Sequence, residues 1–283
     1  ARMPATTGKT VLITGASSGI GKATSLYLAE KGYAVIGTSR SMARLADLNR
    51  EASARGLSVT AVELDIDSDE AVDRVLPRLI EEHGTIDVLV NNAGYGLWGP
   101  VESLSMAEIK AQFETNFFAA MRLIKAVLPG MTGRRAGTIV NISSVLGRMG
   151  TPFNGAYAAS KFALEGMSES LRVELWPLGV RVAVVEPGLL RTDFQKNQHV
   201  AERALSEDLP YTPYTRKYMA NHSRFDRLAS DPVKVAKAIH RIVRSRRPGF
   251  RHPVGVEARL GMLGARLMPE RLFQALLSRA TMR

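Results

Sequence analysis

"TVLITGASSGIGKA", residues 10–23, runs from a β-branched, apolar segment into a helix-like one through Gly15, Gly19 and Gly21. Glycine at these points permits a tight turn and lets the backbone approach a pyrophosphate, which sits at the positive N-terminal end of a helix. The spacing is G-x3-G-x-G rather than G-x-G-x-x-G. A plain strand-to-helix turn uses one or two glycines, so three in this position predict a dinucleotide phosphate site. Its residues are Gly15, Ser17, Ser18, Gly19, Ile20 and Gly21.

Outward from this loop, short apolar runs alternate with longer amphipathic stretches. Strands are expected at 10–14, 33–38, 57–64, 86–90, 137–143 and 180–186, and helices near 19–31, 42–54, 68–82, 105–129 and 155–176. Strands this uniformly apolar are buried on both faces, and their alternation with helices implies βαβ crossovers over a parallel sheet. The handedness of such crossovers leads to an α/β, doubly wound Rossmann-type sheet with helices on both faces. After "EPG" (186–188) the rhythm breaks. Residues 189–230 read as an irregular lid, 231–245 as a helix, and 246–283 as a basic helical C-terminal extension with a helix near 256–280. The length suits one domain spanning 1–283.

Composition narrows the chemistry. The chain has no cysteine, which excludes disulfides, a catalytic thiolate and cysteine-ligated metals. Its five histidines lack metal-ligand spacing, so no metal site is expected. No uncharged apolar run reaches the roughly 18–20 residues that span a bilayer, and "ARMPATTGK" lacks the apolar segment of a secretory signal. A cytoplasmic location follows as the expectation, with the membrane periphery as its variant. The net charge of +11 is unevenly placed: residues 1–195 hold 20 basic and 20 acidic side chains, and residues 196–283 hold 18 and 7.

A second stretch, "YAASK" (157–161), sets Tyr157 and Lys161 four positions apart, and "YLAEK" does the same with Tyr27 and Lys31. The pair alone decides nothing. The order of motifs does: "TGASSGIG", then "NNAG" (91–94), Asn116, "NISS" (141–144), "YAASK" and "PGLLRT" (187–192). In this order the chain resembles the short-chain dehydrogenase/reductase family in its single-domain form, over about residues 8–245. The resemblance implies that Tyr157 and Lys161 are the catalytic pair and that Lys161 also holds the nicotinamide ribose hydroxyls. It further implies that Ser144 orients the substrate oxygen, with Ser143 as its competitor, and that Asn116 positions a water toward Lys161. Asn92, Ala93, Gly94, Pro187, Gly188 and Thr192 join the cofactor site by the same resemblance.

The residue types suit carbonyl–alcohol chemistry. A carbonyl that accepts hydride develops negative charge on oxygen, and a nearby acid must supply a proton. A free tyrosine titrates near pH 10, too high for easy exchange. An adjacent ammonium and an oxidised nicotinamide favour the phenolate, so a lowered Tyr157 is expected.

The second strand runs into "TSRSMARL", with Ser39 and Arg40 where an NAD enzyme usually carries an acid for the ribose hydroxyls. Arg40 can pair with a 2′-phosphate. NADP(H) is therefore preferred, with NAD(H) as the alternative. Asp65 and Ile66 resemble residues that flank the adenine. Tyr95, Leu97, Trp98, Val145, Met149, Phe153, Leu189, Leu190 and Phe194 are expected to line a mostly apolar substrate pocket. Such a wall suits a lipophilic carbonyl or alcohol of steroid, retinoid or fatty-chain type.

The basic C-terminus can serve as a subunit contact, or as a peripheral membrane contact with anionic lipid. No specific nucleic-acid partner is expected, because "RIVRSRRP" has no aromatic platform beside it. A homo-oligomer, dimer or tetramer, is expected. A non-catalytic NADPH sensor or scaffold is the rival class, opposed by the intact Ser–Tyr–Lys set.

Overall fold

The computed structural model describes residues 8–192, 198–222 and 229–282. Six apolar runs form strands: β1 (Thr10–Thr14), β2 (Ala34–Ser39), β3 (Val59–Glu63), β4 (Val88–Asn91), β6 (Gly137–Ile142) and β7 (Val180–Pro187). A short strand, β5 (Leu97–Trp98), leaves the main sheet and pairs with β8 (His199–Val200). A further strand, β9 (Arg251–Val254), completes a seven-stranded, all-parallel sheet in the order β3-β2-β1-β4-β6-β7-β9. This is the doubly wound arrangement. The order reverses between β1 and β4, which opens a crevice at their carboxyl ends.

The helices between strands are α1 (Gly19–Glu30), α2 (Met42–Ala54), α3 (Asp69–His83), α4 (Met106–Phe113), α5 (Ala119–Gly133) and α6 (Gly155–Leu175). Those after β7 are α7 (Thr212–His222), α8 (Val233–Arg244), α9 (Val256–Leu267) and α10 (Glu270–Met282). Strand periodicity explains why the sequence runs are apolar throughout. Leu12, Leu89, Ile139 and Val182 face α3, α5 and α6, where they meet Leu76, Leu123, Ile124 and Leu171. Their neighbours Val11, Ile13, Val88, Val90, Val140 and Val185 face α1 and α8, meeting Leu28, Val235, Ile239 and Ile242.

Three expectations need correction. The helix expected over 105–129 is interrupted by a π-helical turn at Glu114–Phe118, which carries Asn116. A π turn displaces one residue from the α register, and such turns recur at functional sites. The extension expected to be helical from 246 begins with β9: Arg251 pairs opposite Val184, and Val254 opposite Pro187. The run "RHPV" is too short and too polar to read as a strand, and a proline is tolerated there because β9 is the sheet's edge. The helix expected over 256–280 breaks at Met268, which adopts extended backbone before Pro269. Steric conflict with the proline ring disfavours the helical conformation at the preceding residue. Within 189–230, β8, α7 and a bridge between Leu190 and Ser230 are formed.

Leu89 sits fully buried in the middle of β4. Leu89→Ala is expected to cost about 2–5 kcal/mol, read as a lowered urea midpoint with an unchanged denaturant slope.

Candidate active site

The glycine loop is built by close packing. Gly15 has φ of +65° and Gly19 of +53°, the left-handed region where side chains are strained. A Cβ on Gly21 would lie 2.1 Å from the Gly15 carbonyl oxygen. Asn92 reinforces the loop: its Nδ2 donates to the Thr14 carbonyl at 2.8 Å, and the Thr14 hydroxyl accepts from the Asn92 and Ala93 amides at 3.0 Å each. Gly15, Ser17, Ser18, Gly19 and Ile20 line a cavity of about 1130 Å³, with Asn92, Ala93, Gly94, Pro187, Gly188 and Thr192 on its other walls. A single-ligand pocket occupies about 300–1,000 Å³. This cavity has room for a dinucleotide beside a second molecule. Its glycine cradle at the start of α1 fits a pyrophosphate.

At one end of the cavity stand Thr38, Ser39, Arg40 and Arg44. Arg44, which the sequence does not mark out, lies in the first turn of α2, four residues after Arg40. Two guanidiniums therefore share this end. Asp65, expected beside the adenine with Ile66, is exposed and does not line the cavity; Ile66 does, and Asp67 takes the place of Asp65 in its wall. Thr115 donates to Asp67 Oδ2 at 2.7 Å and fixes it. Burial pushes the Asp67 carboxyl up from its ordinary range. The loop after β3 turns its first acid outward and its second inward, a choice that two identical residue types two positions apart do not reveal.

The opposite end gathers Ser144, Tyr157 and Lys161. Ser144 ends the stretch after β6; Tyr157 and Lys161 occupy successive turns of α6. Ser144 accepts from the Leu146 amide at 3.1 Å, which fixes its rotamer. Burial pushes the Tyr157 phenol up to about 12, partly opposed by a hydrogen bond with Ser144. The lowering expected from an adjacent ammonium together with an oxidised nicotinamide belongs to the cofactor-bound chain; in the chain by itself desolvation prevails. The same desolvation draws Lys161 down to about 8, opposed by the Glu165 carboxylate. Lys161 Nζ donates to the Ile142 carbonyl at 2.9 Å and lies 5.8 Å from the Tyr157 ring centre. Ser143 is held differently. Gly147 and Glu165 crowd its hydroxyl, such that a Cβ on Gly147 would lie 2.5 Å from Ser143 Oγ.

Asn116 is off the main cavity. Its Nδ2 donates to the Tyr95 carbonyl at 3.0 Å and the Ser160 hydroxyl at 3.1 Å, while its Oδ1 accepts from the Tyr95 amide at 3.1 Å. Gly94 leaves space here, since a Cβ would lie 2.9 Å from Asn116 Oδ1. A void of about 10 Å³ is lined by both Asn116 and Lys161, with Thr14, Asn91 and Thr115 among its polar residues and Ile66, Ile142 and Leu164 among its apolar ones, close to the ~10–15 Å³ lower limit for one water.

Of the expected substrate residues, Tyr95, Val145, Met149, Leu189 and Leu190 line the cavity. Leu97, Trp98 and Phe153 do not. Leu97 is buried with Ala156 and Ala201, and Trp98 and Phe153 pack behind Tyr218, at ring-centre distances of 4.8 and 5.2 Å. The β5–β8 pairing draws them inward, a long-range contact that composition cannot signal. Tyr218 itself reaches the cavity, as do Asn154 and His199, and none of the three was anticipated. Phe194 lies outside the described residues. No cluster of metal-ligating side chains occurs among the described residues.

The short chain dehydrogenase family model matches residues 9–203. The chain is 42% identical over 258 residues to retinol dehydrogenase 8 of Homo sapiens, an alignment covering 88% of this chain and 82% of that protein. The structure of a short-chain dehydrogenase from Streptomyces avermitilis superposes with a TM-score of 0.83 at 32% identity, covering 96% of each chain. A metagenomic short-chain oxidoreductase in complex with NADP gives 0.70 at 29% identity, covering 89% of this chain and 97% of that one. The chain belongs to the short-chain dehydrogenase family. It is an oxidoreductase with a nucleotide-binding Rossmann fold.

Behind the site, Arg251 of β9 sits between two buried carboxyls, 3.1 Å from Glu165 and 3.7 Å from Glu186. Burial, then repulsion from Glu165, pushes Glu186 up to about 7. Between the ordinary carboxyl value of 4.5 and about 7 the folded chain therefore holds more protons than the unfolded chain. Its contribution to stability is greatest below that window and falls as pH rises through it. Glu186→Gln should remove the fall. The wild type is expected to lose more of its urea midpoint than the variant between pH 5 and pH 7.5; parallel losses would contradict the assignment.

Proposed function

We propose that this protein is an NADP(H)-dependent oxidoreductase that interconverts a carbonyl and an alcohol on a lipophilic substrate. The observation that carries the reading is the convergence of Ser144, Tyr157 and Lys161 on a cavity that the glycine loop, Arg40 and Arg44 also line. When bound, the nicotinamide supplies or takes up the hydride. Tyr157 is the proton donor: burial holds its hydroxyl in the neutral form over the physiological range. Ser144 shares that hydroxyl's hydrogen bond and donates to the substrate oxygen, which orients it. Lys161 favours the phenolate once the proton has left and holds the ribose hydroxyls. Asn116 positions a water toward Lys161, and the void that both line supports this role.

Arg40 and Arg44 favour NADP(H), because two guanidiniums pair with a 2′-phosphate that an acid would repel. Asp67 and Ile66 flank the adenine. The walls formed by Tyr95, Val145, Met149, Leu189 and Leu190 favour a steroid, retinoid or fatty-chain compound, and the relative named retinol dehydrogenase supports that class. Exposed Phe162, Val173 and Trp176 along and just beyond α6 favour a subunit contact on that helix, within a homodimer or tetramer.

Turnover of NADPH and NADH with retinal-like aldehydes, bulky ketones and small aldehydes tests the reading. Faster turnover with NADPH and bulky substrates is the expected result. Tyr157→Phe should lower kcat by about 10²–10⁴-fold while NADPH still binds; full turnover in that variant overturns the mechanism. Arg40→Ala should raise KM for NADPH by about tenfold, the effect of losing about 1.4 kcal/mol, and leave that for NADH unchanged. Equal effects on both cofactors would remove Arg40 from the 2′-phosphate site.

A further inference from the structure

The last two helices are inverted relative to an ordinary surface helix. Along α9 the side turned to the protein carries small residues. Ala258 is buried and lines the main cavity, and Gly261 sits against Met149, where an added Cβ would lie 3.2 Å from Met149 Cε. The side turned to solvent carries the large ones. Val256, Leu260, Leu263 and Leu267 are 70%, 63%, 53% and 70% exposed. At 100° per residue these four fall within a sector of about 60°. α10 adds to the exposed apolar surface: Leu272 and Leu276 are about half exposed, while Leu277 lines a groove with Val101 and Phe153.

Charge surrounds this apolar stripe. Arg259 and Arg266 are exposed and fall on one flank of the α9 leucines, and Arg271 and Arg279 are exposed on α10. Residues 256–283 hold five arginines against two glutamates. Large apolar residues on one stripe, with arginines that reach past them, are the makeup of a helix that lies in a lipid–water interface. No helix among the described residues is long and apolar enough to cross a membrane, so contact of this kind would be peripheral.

We propose that α9 and α10 form a docking surface for an anionic lipid bilayer. A second copy of the chain fits less well, because the exposed arginines of α9 and α10 suit an anionic surface better than a like-charged one, and Phe162, Val173 and Trp176 offer a separate apolar face for a subunit contact. The position of α9 gives docking a consequence. One side of this helix is cavity wall and the other is the lipid-facing stripe, so a lipophilic substrate has a short path from bilayer to cavity. That consequence rests on the function proposed above; the docking itself does not.

Sedimentation with large unilamellar vesicles tests the surface. The wild type is expected to pellet with vesicles of phosphatidylglycerol and phosphatidylcholine, and to be released by high salt. It should stay in the supernatant with phosphatidylcholine alone. Replacing Leu260, Leu263 and Leu267 by Gln should lower the bound fraction at least tenfold, and Arg259→Ala with Arg266→Ala should lower it severalfold. These side chains point to solvent, and unchanged NADPH binding would report that each variant folds. Wild type remaining in the supernatant at low salt overturns the proposal. Equal vesicle binding by the leucine variant also overturns it. A leucine variant that loses a subunit contact by light scattering while its vesicle binding persists assigns the stripe to a second copy and overturns it as well.

Discussion

Asn92 joins the two central strands at the carboxyl edge of the sheet, where the cavity opens. The carboxyl ends of β1 and β4 lie side by side, and the sheet order reverses between them. Backbone groups at such an edge need partners, yet covering them with side chains would fill the crevice. The Asn92 amide meets this need from within the loop by donating to the Thr14 carbonyl, while Thr14 accepts from two amides in return. The glycine loop can then fold tightly over the start of α1, with no Cβ between Gly21 and the Gly15 carbonyl. The cavity stays open because its floor is satisfied without being covered.

The same economy governs the catalytic end. Lys161 is buried, and a buried ammonium needs both hydrogen bonds and countercharge. Its Nζ donates to the Ile142 carbonyl at the end of β6, and the Glu165 carboxylate one helical turn away supplies countercharge. Glu165 is in turn shared with Arg251, which β9 carries into place beside Glu186. The seventh strand therefore reaches the site through charge as well as through pairing. Asn116 completes the frame from the other side by tying the Tyr95 backbone to Ser160 of α6. Its π turn is the local distortion that aims it there.

Much of this was legible in the chain. Uninterrupted apolar runs at β1, β2, β4, β6 and β7 announce strands with two buried faces, and glycines after β1 announce a turn that a phosphate can approach. These signals are local, because side-chain polarity and backbone freedom belong to each residue. β9 was missed because "RHPV" gains its strand identity from β7 alone. The break at Met268 is local, since Pro269 disfavours helical backbone at the residue before it. At the site, Ser17, Arg40, Ser144, Tyr157 and Lys161 are legible in the sequence and share one cavity. Arg44, Tyr218 and His199 are not, since only folding brings them to the same wall.

The sequence by itself determined the alternation of strand and helix, the glycine turn, the absence of thiol chemistry and the concentration of positive charge after residue 195. Each follows from residue type and spacing along the chain. Tertiary structure alone decided which of Asp65 and Asp67 faces the cavity, that Trp98 and Phe153 support Tyr218 rather than line the cavity, and that burial raises the Tyr157 phenol in the chain by itself. It also decided that the leucines of α9 point away from the protein. The direction of a side chain and the water left around it depend on contacts between segments far apart in sequence.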